Sequence, residues 1–310
     1  MEAVNAIGVD LGGTNIKAAL IDAQGKLLAH DKIPTGSDQG AEYVLAQTAL
    51  VVKRLAKQHA SGQREIALGV AIPGEVNDAG AVWRLPNIAG FEGVVFAKAL
   101  REKLAPELNP THIAIDNDAI CAAWGEYQAG VSKTYANQLH ITLGTGVGGG
   151  LVLGGKLYRG RDGFAAEIGH VATHHDGRPC VCGATGCMEA YTCARGILQT
   201  HTELGGDGIE SVAMLVELAA ADDQIALATL EQAGGELGHG LASMINVLNL
   251  DALVFSGGIR GALPFMLPSI QAKLRERCMG KVAAELPLLT TSLGDDAGTI
   301  GAALLALHPQ

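Results

Sequence analysis

Residues 6–17 read AIGVDLGGTNIK, which is a short apolar run, a glycine turn and the beginning of a second apolar run. The pattern predicts a strand, a tight turn and a second strand that continues to Ile21. Glycines in such a turn let backbone N–H groups approach an anion. Thr14 can add a hydroxyl hydrogen bond, and Asp10 can orient a hydrated Mg²⁺ ion. The candidate phosphate-binding residues here are Asp10, Gly12, Gly13, Thr14 and Lys17.

A second glycine turn, residues 144–150, lies between apolar runs at 139–143 and 151–153. It repeats the strand, Gly–Thr turn, strand arrangement of the N-terminus and suggests an ancient duplication. Two such turns could hold a polyphosphate, although two ordinary β-hairpins would give the same pattern. Neither turn has the ending of a Walker motif, and neither opens a helix as a Rossmann fingerprint does. The nucleotide candidates are Gly144, Thr145 and Gly146, with Gly257 and Gly258 predicted to approach adenine and ribose.

The composition is that of a well-packed globular protein, since 48% of the 310 residues are hydrophobic and 17% are charged. Predicted strands and helices alternate, which is typical of an α/β fold, and the length favours two lobes. The formal net charge of −10 argues against a surface for duplex nucleic acid but allows a nucleotide ligand. No apolar run reaches membrane-spanning length, and no signal peptide is visible. Crowded cysteines fit a reducing compartment, so we expect a cytoplasmic protein that binds neither nucleic acid nor membrane.

Acidic and amide side chains follow the apolar run at 113–115, in the sequence Asp116-Asn117-Asp118. A carboxylate between a strand and a helix lies where α/β folds place their ligands. Asp118 could accept a proton from a hydroxyl group that attacks a γ-phosphate. Asn117 offers both a donor and an acceptor to neighbouring hydroxyl groups. Helix capping would explain the same residue types, since Asp and Asn are favoured caps.

One histidine and three cysteines have a spacing suited to a metal ion: His170, Cys180, Cys182 and Cys187. The cysteines are too crowded for a disulfide framework. Four protein ligands complete a tetrahedral zinc shell, which favours a structural zinc over a catalytic one. His174 and His175 are spare ligands or, as we expect, solvated loop residues. Two carboxylates, Glu167 and Glu189, flank the cluster, and a structural zinc has no use for them.

Together these segments resemble the ROK family (repressors, open reading frames and sugar kinases) of the actin-like ATPase and hexokinase superfamily. The resemblance extends over essentially the whole chain. The motifs that carry it are residues 10–17, 72–74, 85–87, 117–118, 143–149, 167–170, 180–189 and 256–258. The family often has an asparagine where this chain has Ile120, so the packing beneath Asp118 is expected to differ.

The resemblance implies a two-lobed actin-like ATPase fold, similar to ribonuclease H, with a ligand cleft between the lobes. The expected lobes are residues 1–118 plus 295–310, and residues 119–294, the larger lobe carrying the zinc segment. The implied activity is that of an ATP-dependent kinase, with Mg²⁺ accompanying ATP, that phosphorylates the 6-hydroxyl group of a hexose. A homodimer is usual among such relatives.

The same resemblance implies residue roles. Asp118 matches the catalytic base, and the four metal candidates match the ligands of a structural zinc. The residues that match those holding sugar hydroxyls are Gly74, Asn87, Asn117, Asp118, Glu167, His170 and Glu189. His170 can serve both roles, with one ring nitrogen on the metal and the other toward the sugar. Zinc would then hold the loop that presents Glu167 and Glu189.

Glucose is the favoured substrate, because residues 85–87 and the Gly-Phe-Glu-Gly that follows resemble the glucokinase branch. N-acetylmannosamine or N-acetylglucosamine is the alternative, and polyphosphate is an alternative donor to ATP. A sugar-responsive DNA-binding repressor, the other arm of the family, needs a helix-turn-helix extension, and only nine residues precede Asp10. A non-catalytic sugar-binding protein is hard to reconcile with the presence of both Asp10 and Asp118.

Overall fold

The computed structural model describes residues 5–59, 66–77, 80–86, 88–280 and 285–309. The chain forms two compact units. The first comprises Met1–Ala136, Gly150–Ala166 and Thr291–Gln310, and the second comprises Asn137–Gly149 and Glu167–Thr290. The predicted break at residue 118 is therefore misplaced, because the helix that begins there packs against the C-terminal helix of the first unit. A ligand cleft between the units stays a prediction.

The first unit is built on a five-stranded mixed sheet. The strands up to residue 117 are β1 (Ala6–Leu11), β2 (Asn15–Ile21), β3 (Leu27–Pro34), β4 (Ala67–Ile72), a small hairpin of β5 (Glu75–Val76) and β6 (Val82–Arg84), and β7 (His112–Asn117). The sheet has the order β3-β2-β1-β4-β7. β1 pairs antiparallel with β2 and parallel with β4. The strand, turn and strand predicted at the N-terminus are confirmed.

Helices cover both faces of this sheet. Ile7 and Val9 of β1 pack in one apolar cluster with α1 (Ala41–His59) and α2 (Phe96–Leu104). Ala6, on the opposite face, packs in a second cluster with α3 (Asp118–Gln128) and the C-terminal helix α9 (Ala297–Leu307). Burial on both faces explains why β1 and β4 read as continuous apolar runs in the sequence.

Glycines bring α9 into direct contact with the sheet and with α3. A Cβ atom at Gly8 of β1 or at Gly69 of β4 would lie 1.7 Å from a carbonyl oxygen of α9. A Cβ atom at Gly301 of α9 would lie 1.7 Å from the carbonyl oxygen of Cys121 in α3. Real side chains do not tolerate such distances, so the backbone of α9 rests directly on its neighbours.

A buried carboxylate fastens the end of α3 to the segment that leads into α9. Glu126 Oε1 accepts hydrogen bonds from the Leu293 N–H at 2.8 Å and from the Thr291 hydroxyl group. Its Oε2 accepts from the Val131 N–H at 2.8 Å and from the Ser292 hydroxyl group at 3.1 Å. A buried carboxylate is costly unless it is hydrogen-bonded, and here four donors satisfy it.

A second five-stranded sheet consists of β8 (Gln138–Leu143), β9 (Val147–Leu153), β10 (Lys156–Leu157), β11 (Ala252–Ser256) and β12 (Leu288–Thr290). Its order is β10-β9-β8-β11-β12. In both sheets the strands, counted along the chain, lie in the order third, second, first, fourth, fifth. This repetition agrees with the duplication that the two glycine turns suggest.

The helices of the second unit are α4 (Glu189–Thr192), α5 (Ala194–Glu203), α6 (Val212–Ala220), α7 (Gln224–Leu248) and α8 (Leu263–Arg277). A short turn separates α6 from α7. Within the part of the chain that the structure describes, no helix combines the length and apolar character needed to span a membrane.

Gly301→Ala is expected to destabilise the protein by about 1–3 kcal/mol, because the added methyl group overlaps the Cys121 carbonyl group. The melting temperature from circular dichroism measures the effect. Gly235→Ala on α7 is the matched control, since a Cβ atom there meets nothing within 4 Å. Alanine favours a helix over glycine by about 1 kcal/mol, so the control should melt no lower than the wild type. Equal melting temperatures for the two variants would contradict the close contact between α9 and α3.

Candidate functional site

The first glycine turn joins β1 to β2. The Gly12 N–H donates to the Asn15 carbonyl oxygen at 3.0 Å, and the Thr35 hydroxyl group donates to the Gly12 carbonyl oxygen at 2.6 Å. A Cβ atom at Gly12 would lie 2.8 Å from the Asn15 carbonyl oxygen, so the turn requires glycine there. Thr14 is exposed at the tip of the turn. Its hydroxyl group is therefore accessible to a ligand, as the sequence predicts.

Asp10 and Lys17 lie opposite each other in the β1–β2 register. Burial raises the pKa of Asp10, and the positive charge of Lys17 opposes that rise. Lys17 Nζ donates to the Asp295 carbonyl oxygen at 3.4 Å. A Cβ atom at Gly298 would lie 3.8 Å from the Asp10 carboxyl carbon. The first turn of α9 therefore lies beside Asp10, and the turn that leads into α9 accepts a hydrogen bond from Lys17.

The candidate base lies in the first turn of α3, directly after β7. Asn117 caps this helix, since its Oδ1 accepts from the Ala119 N–H at 2.9 Å and from the Ile120 N–H at 3.3 Å. Its Nδ2 donates to the Gly74 carbonyl oxygen at 3.1 Å. Asp118 Oδ1 also accepts from the Ala119 N–H, at 2.8 Å. Asn117 therefore caps α3. The same hydrogen bonds hold together three predicted sugar-binding residues, Gly74, Asn117 and Asp118.

A buried ion pair lies directly behind this motif. Asp116 is 2% exposed, and its Oδ2 pairs with the guanidinium group of Arg159. Its Oδ1 accepts from the Asn117 N–H at 2.8 Å. Arg159 is not among the sequence-derived candidates, because it is 43 residues from Asp116 and no local motif marks it.

Glu189 fastens the second glycine turn to α4. Its Oε2 accepts from the Val147 N–H at 2.9 Å, and a Cβ atom at Gly146 would lie 2.8 Å from that oxygen. The Ala194 N–H donates to the Gly144 carbonyl oxygen at 2.8 Å. Glu189 is 7% exposed, so it supports the turn in addition to its predicted role in sugar binding.

A third glycine turn, which contains Gly257 and Gly258, lies beside the second one. β11 runs parallel to β8, with Ser256 opposite Thr142. A Cβ atom at Gly257 would lie 2.1 Å from the Leu143 carbonyl oxygen, and the Ile259 N–H donates to that oxygen at 3.2 Å. The nucleotide candidates of the second unit, Gly144, Thr145, Gly146, Gly257 and Gly258, therefore share the carboxyl ends of two neighbouring parallel strands.

The predicted metal ligands converge. One ligand atom from each of His170, Cys180, Cys182 and Cys187 lies within 4.8 Å of the others. Cys182 Sγ is 3.7 Å from Cys187 Sγ, and Cys180 Sγ is 3.6 Å from His170 Nδ1. Zinc bonds of about 2.3 Å to sulfur and about 2.0 Å to nitrogen give tetrahedral edges of about 3.8 and 3.6 Å. The donor set and its spacing therefore fit a tetrahedral zinc ion.

The thiols of this cluster shift one another's pKa in both directions. Burial raises the pKa of Cys187 to about 12, and hydrogen bonds with Cys180 and Cys182 add to the rise. A backbone hydrogen bond from Ala184 lowers the pKa of Cys182. A bound divalent cation would reverse this balance, because it favours the thiolate form of every ligand.

Glu167 and His170 lie at the ends of a single 3₁₀ turn (Ile168–His170). Glu167 precedes the turn with a non-helical ψ of 56°, so a shared face for Glu167 and His170 stays a prediction. His170 Nδ1 is the ring nitrogen that faces the thiols. Ala166, just before Glu167, has a φ of 69°, which L-residues with a side chain rarely adopt.

Comparisons with known proteins fit this geometry. A model of the ROK family matches residues 6–308. The chain belongs to the ROK family. It is 34% identical over 320 residues to a glucokinase of Halalkalibacterium halodurans, which covers 98% of this chain and 95% of that protein. It is 32% identical over 305 residues to an N-acetylmannosamine kinase of Escherichia coli, with 98% of both chains covered.

A solved structure gives the same result. A ROK family glucokinase from Streptomyces griseus, in complex with glucose and AMPPNP, is 30% identical to this chain. The match covers 98% of this chain and 99% of that one, with a TM-score of 0.81. The predicted α/β actin-like ATPase fold is confirmed.

The candidates of this ROK protein fall into two sets. The first unit holds Asp10, Gly12, Gly13, Thr14, Lys17, Gly74, Asn117 and Asp118. The second holds the three turn residues from Gly144, the Gly257–Gly258 pair, Glu167, Glu189 and the four metal candidates. Asn87 lies outside the described residues.

The expectation that both histidines of the cysteine loop (residues 171–188) are solvated holds for His175 only. His174 is not simply solvated, because its Nε2 lies 2.8 Å from Glu236 Oε2 and its ring lies against Tyr191. His175 is solvated as predicted, with 96% of its side chain exposed. The sequence does not distinguish the two histidines, since the partners of His174 lie far away in the chain.

Ala166→Gly is expected to stabilise this ROK protein by about 1 kcal/mol, because glycine adopts a positive φ without the steric cost that alanine incurs. Ala165→Gly is the matched control and should destabilise, since Ala165 has no positive φ and glycine is more flexible in the unfolded chain. Differential scanning calorimetry measures both variants. A lower melting temperature for Ala166→Gly would contradict strain at this residue.

Proposed function

We propose that this ROK protein is an ATP-dependent hexokinase that transfers the γ-phosphate of ATP to the 6-hydroxyl group of a hexose, with glucose as the favoured substrate. The observation that carries the proposal is the placement of Asp118. It stands at the carboxyl end of β7 in the unit that also contains the Asp10 turn, and capping contacts fix its neighbour Asn117. The glucokinase relatives support both the donor and the acceptor.

Asp118 is proposed to act as the general base. Its carboxylate accepts the proton of the attacking hydroxyl group as the new oxygen–phosphorus bond forms and the bond from the γ-phosphorus to the bridging oxygen of ADP breaks, which releases ADP. The hydrogen bond from the Ala119 N–H to Oδ1 holds the carboxylate in place at the start of α3. Asn117 and Gly74 are proposed to hold adjacent hydroxyl groups. The pair of Asp116 with Arg159 fixes the strand end behind them, so that little rearrangement is needed during transfer.

The glycine turns are proposed to hold ATP. Backbone N–H groups of residues 13–14 and 145–146 suit the phosphates, because those of Gly12 and Gly144 already donate within their turns. Those of residues 257–258 suit adenine and ribose. Asp10 would hold Mg²⁺ through water, and Mg²⁺ supplies charge neutralisation to the phosphates. Lys17 opposes the rise in the pKa of Asp10 and so favours the carboxylate form that such a role requires. Polyphosphate is the alternative donor.

Zinc is proposed as a structural ion held by His170, Cys180, Cys182 and Cys187. The four ligands close the shell, so no position is open for a reacting water. With Nδ1 of His170 toward the metal, Nε2 is available to a sugar hydroxyl group. Glu167 is the exposed carboxylate beside it. We propose that Glu167, His170 and Glu189 hold the sugar, and that the protein acts as a homodimer in the cytoplasm.

N-acetylmannosamine is the second candidate substrate, favoured by the 32% identity to an N-acetylmannosamine kinase. A panel of glucose, mannose, N-acetylglucosamine, N-acetylmannosamine and fructose, assayed by coupled ADP release, is expected to give the highest kcat/KM with glucose. A higher value for an N-acetylated sugar would move the assignment to the second candidate. No sugar-dependent ADP release with any of them would contradict the hexokinase proposal.

Asp118→Asn is expected to lower kcat by about 100-fold or more, because the amide cannot accept the proton. Glucose affinity, measured by isothermal titration calorimetry, should stay within about threefold, since the amide keeps the shape and the Ala119 contact. Asp207→Asn, at an exposed position of the second unit, is the control and should keep wild-type kcat. A normal kcat for Asp118→Asn would disprove its role as the base.

A further inference from the structure

We propose that Arg178, Tyr191 and His174 form a clamp that positions the cysteine loop (residues 171–188) and the Glu189 side chain that follows it. They act as positioning residues, since they reach the metal ligands and the sugar only through other groups. The consequence for sugar binding rests on the proposed function. The consequence for metal retention does not.

Tyr191 is the centre of this clamp. It is 9% exposed, and its hydroxyl group accepts from the Arg178 N–H at 2.8 Å. The Arg178 guanidinium group lies over its ring, 4.7 Å from the centroid, which is the geometry of a cation–π contact. The His174 ring lies 4.5 Å from the same ring, tilted by 38°. A Cβ atom at Gly177 would lie 2.4 Å from the Tyr191 hydroxyl oxygen, so the loop passes directly over it.

The Arg178 guanidinium group ties the loop to the helices that follow Glu189. Its Nη1 donates to the Gly196 carbonyl oxygen at 3.0 Å and to the Ala190 carbonyl oxygen at 3.3 Å. Its Nη2 donates to the Thr200 hydroxyl oxygen at 3.0 Å and pairs with Glu203. The side chain is only 11% exposed. Lysine cannot reproduce this fork, because its single ammonium group cannot reach acceptors in several directions.

His174 provides the third attachment, to the long helix α7. Its Nε2 is 2.8 Å from Glu236 Oε2. The N–H groups of Thr173 and His174 both donate to the Gly186 carbonyl oxygen, at 2.8 and 3.2 Å. These bonds join the arm of the loop that leads to Cys180 with the arm that ends at Cys187.

The loop is therefore held at its base by the clamp, and the metal would hold its tip. Arg178 lies two residues before Cys180, and one of its acceptors is the carbonyl group of Ala190, next to Glu189. Loss of the clamp would let Cys180 move away from the other metal ligands. It would also let Glu189 move away from the other residues proposed to hold the sugar. Supporting residues of this kind typically change metal affinity or activity by about 10–100-fold.

The expected kinetic signature separates positioning from general damage. Glu189 is proposed to hold the sugar equally in the ground state and the transition state, so its displacement raises KM and leaves kcat nearly unchanged. Asp118 and the Asp10 turn belong to the other unit. Because Glu189 also accepts a hydrogen bond from the Val147 N–H of the second glycine turn, KM for ATP should rise together with KM for glucose.

The test compares Arg178→Met, Arg178→Lys and Tyr191→Phe with the wild type in the full-length, zinc-loaded protein. Arg275→Met, at an exposed position on α8, is the matched control. Zinc transfer to the chelator 4-(2-pyridylazo)resorcinol and the KM values for glucose and ATP are measured. Arg178→Met should lose zinc about 10-fold faster and raise the glucose KM about 10-fold. Arg178→Lys should be intermediate, and Tyr191→Phe should show a smaller change in the same direction.

Unchanged zinc transfer and unchanged glucose KM in Arg178→Met would overturn the clamp, as would a fall in kcat alone. If Arg178→Met does not fold, Tyr191→Phe decides by the same criteria, since it removes a single oxygen atom. If the wild type phosphorylates no sugar, the proposed function fails, but the zinc-transfer comparison still decides whether the clamp holds the loop.

Discussion

Direct contact between polypeptide backbones organises the first unit. At Gly8, Gly69 and Gly301 the nearest atoms are carbonyl oxygens, so no side chain separates α9 from the sheet or from α3. The same helix therefore packs against the first turn of α3, which carries Asp118, and its own first turn lies beside Asp10. Phosphoryl transfer depends mainly on such positioning, because the protein has little covalent chemistry to perform.

Local patterns in the sequence predict most of the scaffold. The glycine turn after β1 and the convergence of the metal candidates both follow from spacing and turn chemistry. The boundary at residue 118 could not be predicted in this way, because it depends on whether α3 packs against a helix almost 180 residues later. The partners of Asp116 and of His174 could not be predicted from local patterns either, because they come from distant segments of the chain.

Some residues have a structural role and a proposed functional role together. Asn117 caps α3 and also holds Gly74, so the capping and ligand-binding interpretations of this residue are compatible. The cysteine loop also combines structural residues with residues of proposed function. Arg178, which reaches the metal and the sugar only through other groups, is proposed to fix the backbone that carries the metal-binding residues. A fixed site binds more tightly because less conformational freedom is lost on binding.

The buried position of Glu189 has a practical consequence for engineering sugar preference. Its carboxylate accepts from the Val147 N–H and leaves no room for a side chain at Gly146. Any replacement would alter the second glycine turn together with the sugar side, so the two effects could not be separated in a variant library. Glu167 is exposed and lies at the end of a short turn. On the proposal that both carboxylates hold the sugar, randomising Glu167 while keeping Glu189 constant is the cleaner route to altered selectivity.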